Sequence, residues 1–167
     1  MGTTIPTVSV VIPAYNCGST IRQTIESCFA QSIRCHEIIV VNDGSTDSTA
    51  AVLQEFGDTI RVITQENRGL AAARNLGISR ASGDHVAWLD ADDLAEPQRF
   101  EIQSGVLDRY RELILVHSEF TAFGTEITNS ALPYSSTYYP VLRNDGKQHP
   151  FYDHELPACD SHDHVLP

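Results

Sequence analysis

The feature that most constrains the fold of this chain is a regular alternation of short β-branched apolar runs with segments of helical periodicity. Val8-Ser9-Val10-Val11-Ile12 closes at Pro13, Ile38-Ile39-Val40-Val41 closes at Asn42-Asp43-Gly44, Ile60-Arg61-Val62-Ile63 precedes a polar stretch, and His85-Val86-Ala87-Trp88-Leu89 runs into Asp90-Ala91-Asp92-Asp93. Runs this apolar suit strands buried on both faces of a parallel sheet. Between the first two, Ile21, Ile25, Cys28 and Phe29 recur at i, i+4, i+7 and i+8 after Gly18-Ser19-Thr20, and Thr20 with Gln23 has capping-box spacing. Val52, Leu53 and Phe56 mark a second helix that begins within Ser45-Thr46-Asp47-Ser48-Thr49, and the Ala-rich stretch from Leu70 to Ile78 a third, ended by Ser82-Gly83-Asp84. Strands and helices alternating with short connections predict an α/β domain with a mostly parallel central sheet flanked by helices.

Beyond Asp93 the pattern loosens. A helix over 97–109 (Phe100, Ile102, Val106, Leu107), a strand at Leu113-Ile114-Leu115-Val116 and a further strand over 120–123 are expected. From Thr128 onward the chain is rich in Asn, Ser, Pro, Tyr, His and Asp without sustained periodicity and reads as loop. A length of 167 residues with 41% hydrophobic composition builds one core without disulfides. The four cysteines, Cys17, Cys28, Cys35 and Cys159, form no Cys-x-x-Cys pair and read as reduced thiols of a cytoplasmic protein. The first residues lack a basic and an apolar region of the secretory kind, and no apolar run reaches the ~18–20 residues of a membrane span. A location in the cytoplasm, with room for peripheral attachment to a membrane, is therefore expected.

Net charge bears on partners. The formal charge is −11, of which −1 falls on residues 1–83 and −10 on residues 84–167. Such a balance excludes a general nucleic-acid backbone binder and a polybasic membrane anchor. It also directs attention to carboxylates in the second half.

In an open α/β sheet, ligands bind outside the carboxyl ends of the strands. Those positions here are Pro13-Ala14-Tyr15-Asn16, Asn42-Asp43-Gly44-Ser45, Gln65-Glu66-Asn67-Arg68-Gly69 and Asp90-Ala91-Asp92-Asp93. Glycine fingerprints of dinucleotide and P-loop sites are absent, as are a Gly-x-Ser-x-Gly elbow and a His-Glu-x-x-His helix. Three aspartates within four residues repel one another unless something positive sits among them, and hard oxygen ligands suit Mg2+ or Mn2+. A solvated turn capping the next helix is the alternative. Asp43 stands where a strand-end carboxylate accepts hydrogen bonds from a nucleoside, or it serves the turn alone. Arg68 and Arg74, with a helix start near Gly69, suit an anion site, or are solvated surface arginines.

Taken together, these segments resemble the nucleotide-sugar-binding half of family 2 glycosyltransferases, which invert and have the GT-A fold. The resemblance rests on four stretches in order over residues 7–93: Val8 to Asn16, Glu37 to Asp47, Asn67-Arg68-Gly69-Leu70-Ala71-Ala72-Ala73-Arg74-Asn75, and Trp88-Leu89-Asp90-Ala91-Asp92-Asp93. It implies that Pro13, Ala14, Tyr15 and Asn16 lie at the nucleoside pocket with Gly44, and that Asp43 accepts a hydrogen bond from the base, usually uracil. It further implies that Arg68, Gly69 and Arg74 lie near the diphosphate or sugar. Asp90-Ala91-Asp92 matches the family's Asp-x-Asp, implying Asp92 as direct ligand of Mn2+ or Mg2+ and Asp90 as contact to ribose or to a metal-bound water.

The implied reaction moves a sugar from a nucleotide-diphosphate donor, a UDP-sugar by family habit, to an acceptor hydroxyl activated by a carboxylate base. The acceptor, whether lipid-linked, saccharide or protein, is left open, as are the sugar and the oligomeric state. Polysaccharide or cell-envelope assembly is the common family role. The family's base lies in a downstream Glu-Asp motif. Asp145, Asp153, Glu155, Asp160 and Asp163 are the later carboxylates, and none forms such a pair. The expectation is therefore a donor-binding part over residues 1–125 and an incomplete acceptor-side part over 126–167, in a truncated chain. Cys159-Asp160-Ser161-His162-Asp163-His164, with His149 and His154, reads as a terminal loop rather than a metal site. Two other readings stay open: a sugar nucleotidyltransferase, which would need a basic Gly-rich loop after the first strand, and a non-catalytic nucleotide-sugar-binding module.

Overall fold

The computed structural model describes residues 6–118 and the backbone of residues 141–143. The elements follow one another as β1 (Val8–Ala14), α1 (Ile21–Phe29), β2 (Glu37–Asp43), α2 (Thr49–Gln54), a 3-10 turn (Gly57–Thr59), β3 (Arg61–Gln65), α3 (Leu70–Arg80), β4 (His85–Trp88), α4 (Arg99–Arg109), β5 (Leu115–Val116) and β6 (Val141–Arg143). The sheet order is β3-β2-β1-β4-β6-β5. The first four strands are parallel, and β6 runs antiparallel to both β4 and β5. The expected mostly parallel α/β sheet is thus the observed one.

Burial explains the strand composition. Every residue of β1 and of β4 is buried. One face presents Val10, Ile12, Ile38, Val40 and Ala87 to Ile21, Ile25 and Cys28 of α1, Leu53 of α2, and Phe100 and Leu107 of α4. The opposite face carries Val11, Ile39, Val41, Val86 and Trp88, with α3 over it. Small residues set that approach: Ala73 and Gly77 are buried one turn apart, and a Cβ on Gly77 would collide with the Val11 side chain. β3, at the sheet's edge, alternates towards solvent.

β1 passes through Pro13 and ends at Ala14, later than the expected stop at Ile12. The carbonyls of Thr7 and Val11 accept from the N–H groups of His85 and Leu89, so alternate residues of β1 turn towards β4. Pro13 falls on that side, beyond the last register pair Val11↔Trp88, so its missing N–H removes no ladder bond. The β2 side continues to Ala14↔Asn42.

Three expectations are corrected. Thr20 occupies the N-cap of α1, but its hydroxyl makes no capping bond, so the Thr20–Gln23 capping box does not form. Phe29 is 51% exposed rather than buried with Ile21, Ile25 and Cys28; its ring meets Phe56 at 6.3 Å on the surface. Residues 141–143 form a strand where no periodicity announced one, because three residues paired on both sides need only backbone partners. The strand expected over 120–123 lies outside the described residues. No helix among the described residues is long and apolar enough to cross a membrane.

Candidate functional site

The order β3-β2-β1-β4 brings the four polar strand ends side by side at one edge of the sheet. Their loops are tied together by side chains. Asn16, in the left-handed region at φ 49°, accepts from the Thr46 N–H at 2.8 Å through Oδ1, while its own N–H donates to Ser45 Oγ at 3.1 Å. Asp47 accepts from the N–H of Gly18 and from the N–H and hydroxyl of Thr49. The loops after β1 and β2 therefore form one rigid ledge, on which Tyr15 is half exposed.

Asp43 ends β2 and is 3% exposed. Its Oδ1 accepts from Gln65 Nε2 at 2.6 Å and from the Arg68 N–H at 2.9 Å, and its Oδ2 accepts from the Gly69 N–H at 2.8 Å. Burial pushes the carboxyl's pKa up, but these three donors and the Arg68 charge outweigh it and hold the group below the ordinary aspartate value. Asp43 thus fixes the turn that opens α3. Gly69 (φ 86°) completes that turn and Gly44 (φ 72°) begins the loop after β2, both in backbone conformations that side chains disfavour. A Cβ on Gly44 would also lie 2.8 Å from the Asn67 nitrogen. Arg68 is exposed, and its guanidinium makes no hydrogen bond or ion pair among the described residues.

At the end of β4 the carboxylates part company. Asp90 Oδ1 accepts from Arg74 Nη2 at 2.6 Å in a partly buried ion pair, with the Arg74 guanidinium 6.0 Å from the Trp88 ring centre. The Asp93 N–H returns to the Asp90 carbonyl at 3.1 Å, closing a turn that leaves Asp92 exposed. The Ala91 carbonyl is turned inward, where the hydroxyls of Thr20 and Thr24 donate to it at 2.9 and 3.0 Å. Burial raises the pKa of the Cys17 thiol against the Thr49 hydrogen bond, and the charges of Asp47 and Asp92 add to the rise.

Among the described residues, no three His, Cys, Asp or Glu side chains group to hold a metal ion. The positive partner expected among the aspartates is present for Asp90 as the Arg74 guanidinium. Of the three carboxylates, the exposed one is Asp92. Such a donor set fits a Mg2+ or Mn2+ ion that takes most of its ligands from phosphate and water, and does not fit an all-protein cage. The later carboxylates Asp145, Asp153, Glu155, Asp160 and Asp163, and the terminal Cys/His string, lie outside the described residues.

Thr20, Thr24, Ser27 and Gln31 were not among the sequence candidates. They hold the chain after β4: Ser27 Oγ accepts from the Ala95 N–H at 3.0 Å, and Gln31 Nε2 donates to the carbonyls of Ala95 and Glu96 at 3.2 and 2.7 Å. Their spacing, a polar stripe beside the apolar one of α1, is the signal that could have found them.

Comparison with known proteins gives the family and the fold. The family model described as "Glycosyl transferase family 2" matches residues 9–155. An uncharacterized glycosyltransferase of Rickettsia typhi is 41% identical over 104 residues, 62% of this chain and 33% of that protein. The putative glycosyltransferase EpsE of Bacillus subtilis is 37% identical over 136 residues, 75% of this chain and 49% of that protein. The chain therefore spans half or less of the length of these curated relatives. Among solved structures, TarS of S. aureus (residues 1–349) superposes with a TM-score of 0.64 at 21% identity, covering 82% of this chain and 47% of that one, which establishes the fold. A mannosyltransferase of Pyrobaculum calidifontis, solved with GDP-Man and Mn2+, superposes at 0.52 with 29% identity, covering 62% of this chain and 32% of that one.

Proposed function

The chain belongs to glycosyl transferase family 2, and from that premise we propose that its sheet edge binds a nucleotide-diphosphate sugar, foremost a UDP-sugar, for transfer to an acceptor hydroxyl with inversion. The observation that carries the reading is the exposed Asp92 carboxylate, just beyond the end of β4 and two residues from the Asp90–Arg74 pair. The TarS fold has also been solved with UDP-GlcNAc, and the Pyrobaculum enzyme with GDP-Man and Mn2+.

In this reading Pro13, Ala14, Tyr15, Asn16 and Gly44 border the nucleoside, with Tyr15 offering an exposed ring for stacking. Asp43 has three donors on its two oxygens, so one acceptor position remains for a base N–H. The exposed Arg68 and the start of α3 at Gly69 face the diphosphate with positive charge. Arg74 acts through Asp90, whose orientation it sets. Asp92, with Asp90 and Ala91 on its N-terminal side, would hold Mn2+ or Mg2+ together with the phosphates. When bound, such a cation supplies Lewis-acid stabilisation of the departing diphosphate. Attack by the acceptor hydroxyl needs a base for its proton, which the described residues do not assign.

The division at 125/126 into donor and acceptor-side parts belongs to the same proposal. A cytoplasmic location, with peripheral membrane attachment and a role in polysaccharide or envelope assembly, is part of it too, supported by the free thiols of Cys17, Cys28 and Cys35.

Calorimetric titration with UDP, with and without Mn2+, tests the site. Binding should strengthen with Mn2+, and Asp92→Ala should abolish that increment; binding indifferent to the metal, or unchanged in Asp92→Ala, overturns the assignment.

A further inference from the structure

We infer that Thr24, assisted by Thr20, is a positioning residue that sets Asp92 for the donor; the inference rests on the reading of the site given above. Residues 91–98 contain no helix or strand, so their backbone groups need partners from elsewhere. The partners come from one side of α1. Thr20 at the N-cap, Thr24 and Ser27 on one face of the helix, and Gln31 just past its end bond to the backbone of residues 91, 95 and 96.

The Ala91 carbonyl is the point of greatest consequence. A peptide unit is planar, so the Ala91 carbonyl, the Asp92 nitrogen and the Asp92 Cα share one plane. Two hydroxyls, at 2.9 and 3.0 Å, fill both acceptor positions of that oxygen and so fix the plane that carries Asp92. Thr24 has no solvent exposure, so no water can replace its hydroxyl without repacking. Asp92 itself is exposed and has no anchoring partner among the described residues. Its position therefore depends on the residue before it, and through that residue on α1.

Thr24→Val keeps the shape and removes the donor. In calorimetry with UDP, Thr24→Val should weaken binding about tenfold in Mn2+, the equivalent of one lost hydrogen bond at the site. Without metal its affinity should match that of the parent chain, because the effect passes through Asp92. Thr24→Ser should restore the metal-dependent part. An equal loss with and without Mn2+ would make Thr24 a packing residue only, and so overturn the inference.

A second readout needs no ligand. Amide hydrogen exchange of Asp93, which bonds to the Asp90 carbonyl, should be faster in Thr24→Val and unchanged in Thr24→Ser. If the parent chain binds no UDP, the reading of the site fails and the exchange rates still decide whether the hydroxyls fix the turn; unaltered exchange in Thr24→Val overturns that. Should Thr24→Val fail to fold, Thr20→Val, at a half-buried position, should show the same metal-dependent loss and faster exchange, and their absence would overturn the inference equally.

Discussion

Asp43 and Asp92 stand at the carboxyl ends of β2 and β4, on either side of β1, and the fold treats them in opposite ways. Asp43 is 3% exposed, with a side-chain amide and two backbone N–H groups on its oxygens. Asp92 is exposed, and what holds it is its neighbour's carbonyl. The same side chain at equivalent ends of parallel strands thus serves two purposes: one is a structural acceptor that shapes a ledge, the other a charge displayed on it. Which purpose applies is decided by the donors within reach. Gln65, Arg68 and Gly69 converge on Asp43, whereas the Arg74 guanidinium is taken by Asp90.

The sharpest way to break this contrast is truncation at both places. Asp43→Ala strands two backbone donors and the half-buried Gln65 amide and should lower unfolding free energy by about 3 kcal/mol, read from urea melts. Asp92→Ala should change it by no more than about 0.5 kcal/mol, as exposed positions do. Equal costs would mean that the two aspartates are not differently built in. The glycines refine the comparison, since the ledge around Asp43 depends on backbone shape. Gly44→Ala meets both a left-handed φ and the Asn67 nitrogen, and should cost about 2 kcal/mol. Gly69→Ala meets only the unfavourable φ, with open space around the new Cβ, and should cost about 1 kcal/mol. Reversal of that order would show that Asn67 moves aside freely.

The sheet and its polar edge were legible in the chain because their signals are local. A β-branched run followed by Pro13 or Asn42-Asp43-Gly44 announces both a strand and its end, and the four such ends in order carried the family resemblance. The apolar stripe of α1 was legible for the same reason at Ile21, Ile25 and Cys28. Contacts between distant stretches were not. The Thr20 hydroxyl could cap α1 or reach the Ala91 carbonyl 71 residues away, and nothing near Thr20 distinguishes the two. Likewise, three aspartates in four residues could not disclose that an arginine sixteen residues earlier neutralises the first. β6 escaped notice because it is three residues long and is defined by its neighbours.

Acid titration offers a smaller effect that addresses the same contrast. The Asp43 carboxyl is held below its ordinary value in the folded chain, despite its burial, by the donors from Gln65, Arg68 and Gly69. A carboxyl whose pKa is lower folded than unfolded binds fewer protons in the native state, so stability rises with pH where the two states differ. The contribution is complete above the unfolded value of about 3.9 and declines as pH falls through the folded value. Asp43→Asn removes the titrating group while keeping one acceptor oxygen. It should therefore flatten the fall in urea-derived stability below about pH 4, against the background left by Glu37, Asp47 and Asp84, whose pKa values are also lowered. If Asp43→Asn leaves the limb as steep as in the parent chain, the acid dependence belongs to the other carboxylates, and the hydrogen bonds at the end of β2 contribute nothing separate to it.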